Sequence, residues 1–317
     1  MQIHIIEPLA ISQDKKRELT ELFNQNGHEA KFFSDRNENP REIINRSHKA
    51  DIVVFGNLPF PEECVNALPD LKMVAVAFTG VDHVAVQACR NRGIAVCNAS
   101  GYSTINVAEL TIGLMIDVLR NVTRLDPVTR NGGTKEGFVG FDLSGKTVGI
   151  IGTGAIGQRV ASLLKGFDCT ILGYNKGRQP ADDSLGILYT SMEELLMKSD
   201  IVTLHCPLNK MTRGLLGEEE FSLMKNSAYI INCARGPIIN TEALVSALKN
   251  GDIAGAGIDV FDSEPPLDLE NRLLKMENTV VTPHIAFATK EAFIRRADIV
   301  ADNILSWIDG SGKNVIV

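Results

Sequence analysis

The sequence from residue 148 to residue 157 reads VGIIGTGAIG. A short apolar run leads into the glycine pattern GxGxxG, and an apolar, helix-like stretch follows it. The glycines permit a tight turn, a close backbone approach to a pyrophosphate and close packing of the helix on the sheet. A helix that begins there presents free N–H groups and its positive dipole end to an anion. The stretch therefore predicts a dinucleotide-binding turn, with cofactor contacts from Gly152, Gly154, Ala155, Ile156 and Gly157.

Strand-like and helix-like stretches alternate on both sides of this turn. Apolar runs of strand length occur at Ile3–Ile6, Asp51–Phe55 and Leu71–Ala77 before it, and others follow it at Thr170–Tyr174, Ile201–His205, Tyr229–Asn232, Gly257–Phe261 and Thr279–Thr282. Amphipathic stretches that end at glycine lie between several of them, as helices do. This alternation predicts an α/β fold with parallel sheets covered by helices on both faces.

The length of 317 residues suggests two domains. A long helical pattern at Val107–Asn121 separates the two series of strands and is interpreted as the connector. The helical pattern from Lys290 to Trp307 is expected to cross back to the first domain, because the few residues after it end in the strand-like Val315–Val317. We therefore expect a discontinuous first domain, residues 1–100 plus 289–317, and an inserted second domain, residues 101–288.

Composition excludes several classes of function. Lys plus Arg number 32 and Asp plus Glu number 39, a net charge of −7, whereas nucleic acids and anionic membranes require a basic face. No apolar run approaches the roughly 18 residues of a membrane span, and the start lacks the basic region of a signal peptide. The six cysteines form no CxxC pair, so we expect reduced thiols, no metal site and a cytoplasmic location.

The end of the second strand after the turn bears on the choice of cofactor. An acidic residue there would bind the adenosine ribose 2′-OH and repel a 2′-phosphate. This sequence has the neutral Asn175, followed by Lys176 and Arg178, which either pair with a phosphate or are solvated loop charges. We expect NAD or NADP as cofactor, with a slight preference for NADP.

Several blocks together resemble the D-isomer-specific 2-hydroxyacid dehydrogenases. They are the dinucleotide turn, Leu195–Pro207, Met224–Pro237, Asp259–Pro266 and Thr282–Ala286. The resemblance implies a Rossmann dinucleotide-binding domain inserted into a discontinuous flavodoxin-like substrate-binding domain, usually in a homodimer. The second domain would then bind NAD(P), and the first would bind a small 2-keto or 2-hydroxy acid.

The resemblance also implies a catalytic set of Arg235, Glu264 and His284. Reduction of a 2-keto acid needs a hydride, which the cofactor supplies, and a proton, for which histidine has a suitable pKa range. Glu264 would fix the tautomer of His284. Arg235 offers a planar fork that suits a carboxylate and polarises a carbonyl. The structural alternatives are a capped turn for Arg235, a surface carboxylate for Glu264 and a histidine satisfied by the core.

Further site residues follow from the same resemblance. The segment that lines the adenine pocket would contain His205, Cys206, Pro207 and Thr212. Positions near the nicotinamide would be Cys233, as an inert buried thiol, Ala234, Asp259 and His284. The loop Phe78–Asp82 resembles the substrate loop, with Thr79 and with the backbone N–H groups of Gly80 and Val81 receiving the carboxylate. Asn57, which follows a buried strand, either reaches the substrate or caps a turn.

Within the family, Gly101–Thr104 and His284–Ala292 look most like glycerate dehydrogenase/hydroxypyruvate reductase members. We therefore expect reduction of a small 2-keto acid such as hydroxypyruvate or glyoxylate. One alternative is a phosphoglycerate dehydrogenase without a regulatory domain, since the chain stops at Val317. Another is a non-catalytic NAD(H)-sensing binding protein. The sequence departs from the family at Asn175, where an acidic residue is usual, and in Arg130–Phe141, where a tryptophan is frequent.

Overall fold

The structure, a computed structural model, describes residues 1–176, 184–264 and 267–317. Its strands form two sheets in which all neighbouring strands run parallel, with helices between most successive strands. This confirms the predicted α/β class. The predicted cofactor residue Arg178 lies outside the described residues.

The described chain divides into two compact units. The first comprises Met1–Ser103 and Ala288–Val317, and the second comprises Thr104–Phe287. The roles expected for residues 1–100 plus 289–317 and for residues 101–288 stay predictions. No helix in the described ranges combines the length and the apolar character that a membrane span needs.

The first unit contains a five-stranded sheet. Its elements are β1 (Gln2–Ile5), α1 (Gln13–Gln25), β2 (Glu29–Phe32), α2 (Pro40–Ser47), β3 (Ile52–Phe55), α3 (Glu62–Asn66), β4 (Met73–Val76), α4 (Val86–Asn91) and β5 (Ala95–Asn98). The strand order is β2-β1-β3-β4-β5. Every residue of β3 and β4 is buried, as central strands covered on both faces should be. The last helix of the chain also belongs to this unit.

The second unit contains a seven-stranded sheet. Its elements are α5 (Thr104–Arg120), α6 (Val122–Arg130), β6 (Thr147–Ile151), α7 (Ala155–Leu164), β7 (Thr170–Tyr174), β8 (Leu188–Tyr189), α8 (Met192–Lys198), β9 (Ile201–Leu204), α9 (Glu218–Leu223), β10 (Tyr229–Asn232), α10 (Thr241–Asn250), β11 (Gly255–Ile258) and β12 (Thr279–Val281). The last helix of the chain, α11 (Lys290–Ile308), lies in the first unit. The order β12-β11-β10-β9-β6-β7-β8 changes direction between β6 and β9. Ligands of such sheets bind at the carboxyl ends of the strands beside this switch point.

Three details differ from the sequence expectations. The strand predicted at Gly257–Phe261 ends at Ile258, because the carbonyl of the next residue, Asp259, accepts a hydrogen bond from the loop after β12. The predicted final strand at Val315–Val317 forms only an isolated antiparallel bridge from Val315 to Cys97. Helix α6 was not predicted, because it contains Pro127 and buries no residue, so it shows no apolar stripe.

The third glycine of the turn permits close packing of α7. An ideal Cβ at Gly157 would lie 2.1 Å from the carbonyl oxygen of Gly152, a backbone atom that cannot move aside alone. Gly113, in α5, is also helical, but it is exposed and has open space where a Cβ would lie.

We expect Gly157→Ala to lower the free energy of unfolding by about 1–3 kcal/mol, the usual cost of overpacking. The matched Gly113→Ala should raise it by about 0.5–1 kcal/mol, since alanine is the better helix former. Urea unfolding followed by circular dichroism measures both. Equal stability of the two variants would contradict the close approach of α7 to the turn.

Candidate active site and cofactor cavity

A cavity of about 560 Å³ lies at the carboxyl ends of β6, β7 and β9, beside the switch point of the second unit. It is lined by predicted cofactor residues, namely Gly152, Gly154, Asn175, Lys176, His205, Cys206, Pro207 and Thr212. It is also lined by Ile151, Thr153, Tyr174, Asn209, Met211 and Leu215. Its size and position suit an extended nucleotide ligand.

The glycine turn leaves room and donors for an anion at this cavity. Gly152 has φ +96°, and an ideal Cβ there would lie 2.6 Å from the backbone nitrogen of Cys206. Gly154 and Ala155 are exposed, and the first turn of α7 has no side-chain cap. The free N–H groups of this helix terminus are therefore available to a pyrophosphate, so the residues fit a dinucleotide.

Asn175 is engaged by the turn itself. Its Oδ1 accepts a hydrogen bond from the backbone nitrogen of Thr153 (2.8 Å), and its Nδ2 donates to Thr153 Oγ1 (2.5 Å). Thr153 Oγ1 is also 3.0 Å from the hydroxyl of Tyr189. The amide of Asn175 therefore holds the shape of the turn, while the next residue, Lys176, is an exposed cation at the cavity.

The loop after β9 forms a wall of the cavity that carries no charge. Burial lowers the pKa of His205 to about 3, so this ring is uncharged at neutral pH, and its Nε2 is 3.0 Å from Thr203 Oγ1. Burial also raises the pKa of the Cys206 thiol. Thr212 Oγ1 donates to the carbonyl of Pro207 (2.6 Å) and closes the loop. An uncharged, largely apolar wall of this kind suits a flat heteroaromatic ring.

The loop after β10 carries Arg235. The fully buried Asn232 accepts a hydrogen bond from the backbone nitrogen of Ala234 (3.0 Å) and donates to the carbonyl of Arg235 (3.0 Å). Arg235 Nη1 donates to the carbonyl of Ala234 (2.7 Å). An ideal Cβ at Gly236 would lie 2.1 Å from the backbone of Phe261, so this loop packs closely on the loop after β11.

The loops after β11 and β12 are joined by the carboxylate of Asp259, which has no exposed surface. It accepts hydrogen bonds from Thr282 Oγ1 (2.5 Å) and from the backbone nitrogens of Ile285 (2.8 Å) and Ala286 (2.9 Å). The backbone nitrogen of His284 donates to the carbonyl of Asp259 (2.8 Å). Both carboxylate oxygens face the turn, and the expected nicotinamide contact stays a prediction.

His284 and Glu264 form a pair on these loops. His284 Nδ1 is 2.8 Å from Glu264 Oε2, and both side chains are partly exposed. Glu264 Oε1 accepts a hydrogen bond from the backbone nitrogen of Phe261 (3.2 Å), which fixes the carboxylate. With Nδ1 directed at Glu264, Nε2 is the ring nitrogen that can exchange a proton with a ligand. This arrangement can perform general acid–base chemistry.

Two more predicted positions lie in the loop after β10. Burial raises the pKa of the Cys233 thiol to about 12, so the thiol stays protonated and unreactive at neutral pH. Ala234 is half-buried beside it. No cluster of three or more metal-ligating side chains occurs in the part of the chain that the structure describes.

The other predicted substrate residues lie in the first unit. Asn57 follows β3, and Thr79, Gly80 and Val81 follow the neighbouring strand β4. The carbonyl of Thr79 accepts a hydrogen bond from Asn98 Nδ2 (2.6 Å); Thr79 is exposed, and Gly80 is half-buried. The sheet therefore brings these four positions to one edge of this unit.

Sequence reasoning missed two kinds of residue. The cavity-lining residues Asn209, Met211 and Leu215 lie on a loop that has no pattern of its own. Asn232 could have been found, because it is a polar residue that ends the apolar strand β10, much as the polar Asp259 directly follows the apolar strand β11.

Comparison with known proteins agrees with this geometry. Residues 112–286, more than half of the chain, match the family model described as D-isomer specific 2-hydroxyacid dehydrogenase, NAD binding domain. A relative called glyoxylate reductase, from Thermococcus litoralis, is 37% identical over 294 residues, 89% of this chain and 88% of the relative. A hydroxypyruvate reductase from Blautia hydrogenotrophica is 34% identical over 282 residues, 87% of each chain.

A solved structure described as an acyclic imino acid reductase in complex with NADPH and D-Arg superimposes with a TM-score of 0.91. It is 31% identical to this chain, and the match covers 100% of both chains. The chain therefore belongs to the D-isomer-specific 2-hydroxyacid dehydrogenase family, whose members are oxidoreductases that act on a CH–OH group with NAD(P).

Proposed function

We propose that this protein reduces a small 2-keto acid, hydroxypyruvate or glyoxylate, to the D-2-hydroxy acid with NADH or NADPH. The His284–Glu264 pair, 2.8 Å apart on the loops that Asp259 joins, carries the proposal. The relatives named glyoxylate reductase and hydroxypyruvate reductase support the choice of substrate.

The reaction consumes one hydride and one proton. A nicotinamide cofactor bound at the glycine turn would supply the hydride. Protonated His284 donates the proton from Nε2 to the keto oxygen as the C=O bond becomes C–OH. Glu264 holds Nδ1 and keeps the ring in this orientation. Arg235 binds the carboxylate and polarises the carbonyl through its planar fork.

We assign the cofactor to the cavity of the second unit. The turn Gly152–Gly157, including Ala155 and Ile156, would hold the pyrophosphate, and the neutral wall at His205 would contact the adenine. Lys176 would pair with a 2′-phosphate, because Asn175 is already bonded to Thr153 and leaves this position without a carboxylate. This arrangement favours NADPH slightly over NADH.

We further propose a cytoplasmic homodimer. All six cysteines are free, which suits a reducing compartment. Helix α6 buries no residue, and Val122, Val139 and Phe141 are exposed in or after it. Exposed apolar side chains grouped along one segment are typical of a surface that a second chain covers.

His284→Ala should lower kcat for hydroxypyruvate and glyoxylate by about 10²–10⁴-fold, because the proton donor is lost. Turnover is followed as NAD(P)H absorbance at 340 nm. The matched control is His48→Ala, which removes an exposed histidine of the first unit and should keep wild-type activity. Near-normal kcat in His284→Ala would remove this histidine from the mechanism.

Arg235→Lys should lower kcat/KM at least about tenfold, since a point charge lacks the fork that binds a carboxylate and polarises a carbonyl together. The same assay measures it, with thermal melting as a check on folding. Activity close to that of the wild type would show that Arg235 is a structural residue.

Lys176→Ala should lower kcat/KM for NADPH about tenfold and change kcat/KM for NADH much less, because only NADPH carries the 2′-phosphate. The control is Lys165→Ala. It removes a lysine that directly follows α7 and does not line the cavity, so it should not change the preference for either cofactor. A wild-type preference for NADH above about 100-fold would contradict the assignment.

A further inference from the structure

Three side chains meet at the carboxyl edge of the first unit's sheet. Glu7 follows β1 and has only 5% of its side chain exposed, and Asn57 follows β3. Arg36 bridges them: its Nη1 donates to Glu7 Oε2 (2.5 Å) and to Asn57 Oδ1 (2.8 Å), and its Nη2 donates to the Asn57 carbonyl (3.3 Å). Together with Glu38 we call these residues the Arg36 cluster.

The guanidinium of Arg36 is fully employed within the cluster. Its Nε donates to Glu38 Oε1 (3.0 Å), and its Nη2 is 2.9 Å from the same oxygen. Glu7 Oε1 in turn accepts a hydrogen bond from the backbone nitrogen of Gly56 (2.5 Å). An arginine that holds two carboxylates, a side-chain amide and a carbonyl is a clamp and has no fork free for an anionic ligand.

The clamp determines which end of the Asn57 amide is available. Oδ1 is taken by Arg36, so Nδ2, a hydrogen-bond donor, is the end left at the exposed surface of this residue. A donor there can bind the oxygen of a hydroxyl group. The cluster offers a neutral donor at this point, whereas a phosphate would need a cation.

The predicted carboxylate loop lies on the next strand. The backbone nitrogen of Ala77, after β4, donates to the carbonyl of Phe55 (2.7 Å), so the two strand ends lie side by side. The ring of Phe78 packs on Gly56, where an ideal Cβ would lie 2.9 Å from it. The guanidinium of Arg296 packs against the Phe78 ring, and Arg296 is only 4% exposed, so this cation also does not reach a ligand at the surface.

We propose that Glu7 and Arg36 are positioning residues that fix Asn57 as the donor for a neutral hydroxyl on C3 of the substrate. The inference rests on the proposed function and narrows it to 2-keto acids with an uncharged C3 hydroxyl. Hydroxypyruvate has this group, glyoxylate has no C3, and 3-phosphohydroxypyruvate replaces the hydroxyl by a phosphate ester. The site therefore favours hydroxypyruvate over both.

The test is the ratio of kcat/KM for hydroxypyruvate to kcat/KM for glyoxylate, measured on the full chain at 340 nm. Asn57→Ala should lower this ratio about five- to tenfold, which corresponds to the free energy of one neutral hydrogen bond. The change should appear mainly as a higher KM for hydroxypyruvate. The wild type should turn over 3-phosphohydroxypyruvate poorly.

Arg36→Lys separates positioning from charge. Lysine keeps a cation beside the buried Glu7 but cannot hold Glu7 and Asn57 with one planar fork. The ratio should therefore fall as in Asn57→Ala, and the double variant should be no lower than Asn57→Ala alone, because both changes remove one interaction. Arg41→Met, which removes an exposed arginine of the same unit, should leave the ratio unchanged.

An unchanged ratio in Asn57→Ala, equal losses on both substrates, or additive losses in the double variant would overturn the inference and leave the proposed function in place. Turnover of 3-phosphohydroxypyruvate as fast as hydroxypyruvate would also overturn it. A wild type that reduces neither hydroxypyruvate nor glyoxylate with either cofactor would overturn the proposed function and the inference together.

Discussion

The buried carboxylate of Asp259 makes the interactions on which the arrangement of the loops after β11 and β12 depends. Its three hydrogen bonds to the loop after β12 hold His284 in the left-handed region, at φ 53°. That conformation costs roughly 1–2 kcal/mol for a residue with a side chain, whereas each hydrogen bond to a charged acceptor contributes about 1.5–3 kcal/mol. Burial raises the pKa of Asp259, and the same donors oppose that shift. The turn is therefore stable, and it presents His284 to Glu264.

On the neighbouring strand β10, a buried polar side chain also holds a loop in place through hydrogen bonds. Asn232 ends β10 and binds the backbone on both sides of the Arg235 turn, as Asp259 follows β11 and binds the turn of His284. The backbone nitrogen of Asp259 donates to the carbonyl of Asn232 (2.9 Å), so a backbone hydrogen bond joins the two residues that hold these loops. Buried polar groups at adjacent strand ends thus fix the positions of the two side chains that would act on the keto acid.

The sequence predicts the parallel sheets and the glycine turn because each depends on local apolar runs or on a short motif, and the resemblance to the family singles out Arg235, Glu264 and His284. It does not predict the orientation of Asn175, since the side-chain amide can form its hydrogen bonds with Thr153 only when β6 and β7 are paired. It also does not reveal the clamp of Arg36, because its partners Glu7 and Asn57 lie 29 and 21 residues away and come together only at the sheet edge. Helix α6 was missed because an element that buries nothing leaves no periodicity to detect.

A crystal structure of the protein with NADH and oxamate, an unreactive analogue of a 2-keto acid, would show directly whether His284, Glu264 and Arg235 act on the substrate. We expect His284 Nε2 within about 3 Å of the oxygen that mimics the keto group, His284 Nδ1 still bonded to Glu264, and Arg235 in contact with the carboxylate. Oxamate bound away from these residues, or a His284 ring turned away from Glu264 in the complex, would contradict this expectation.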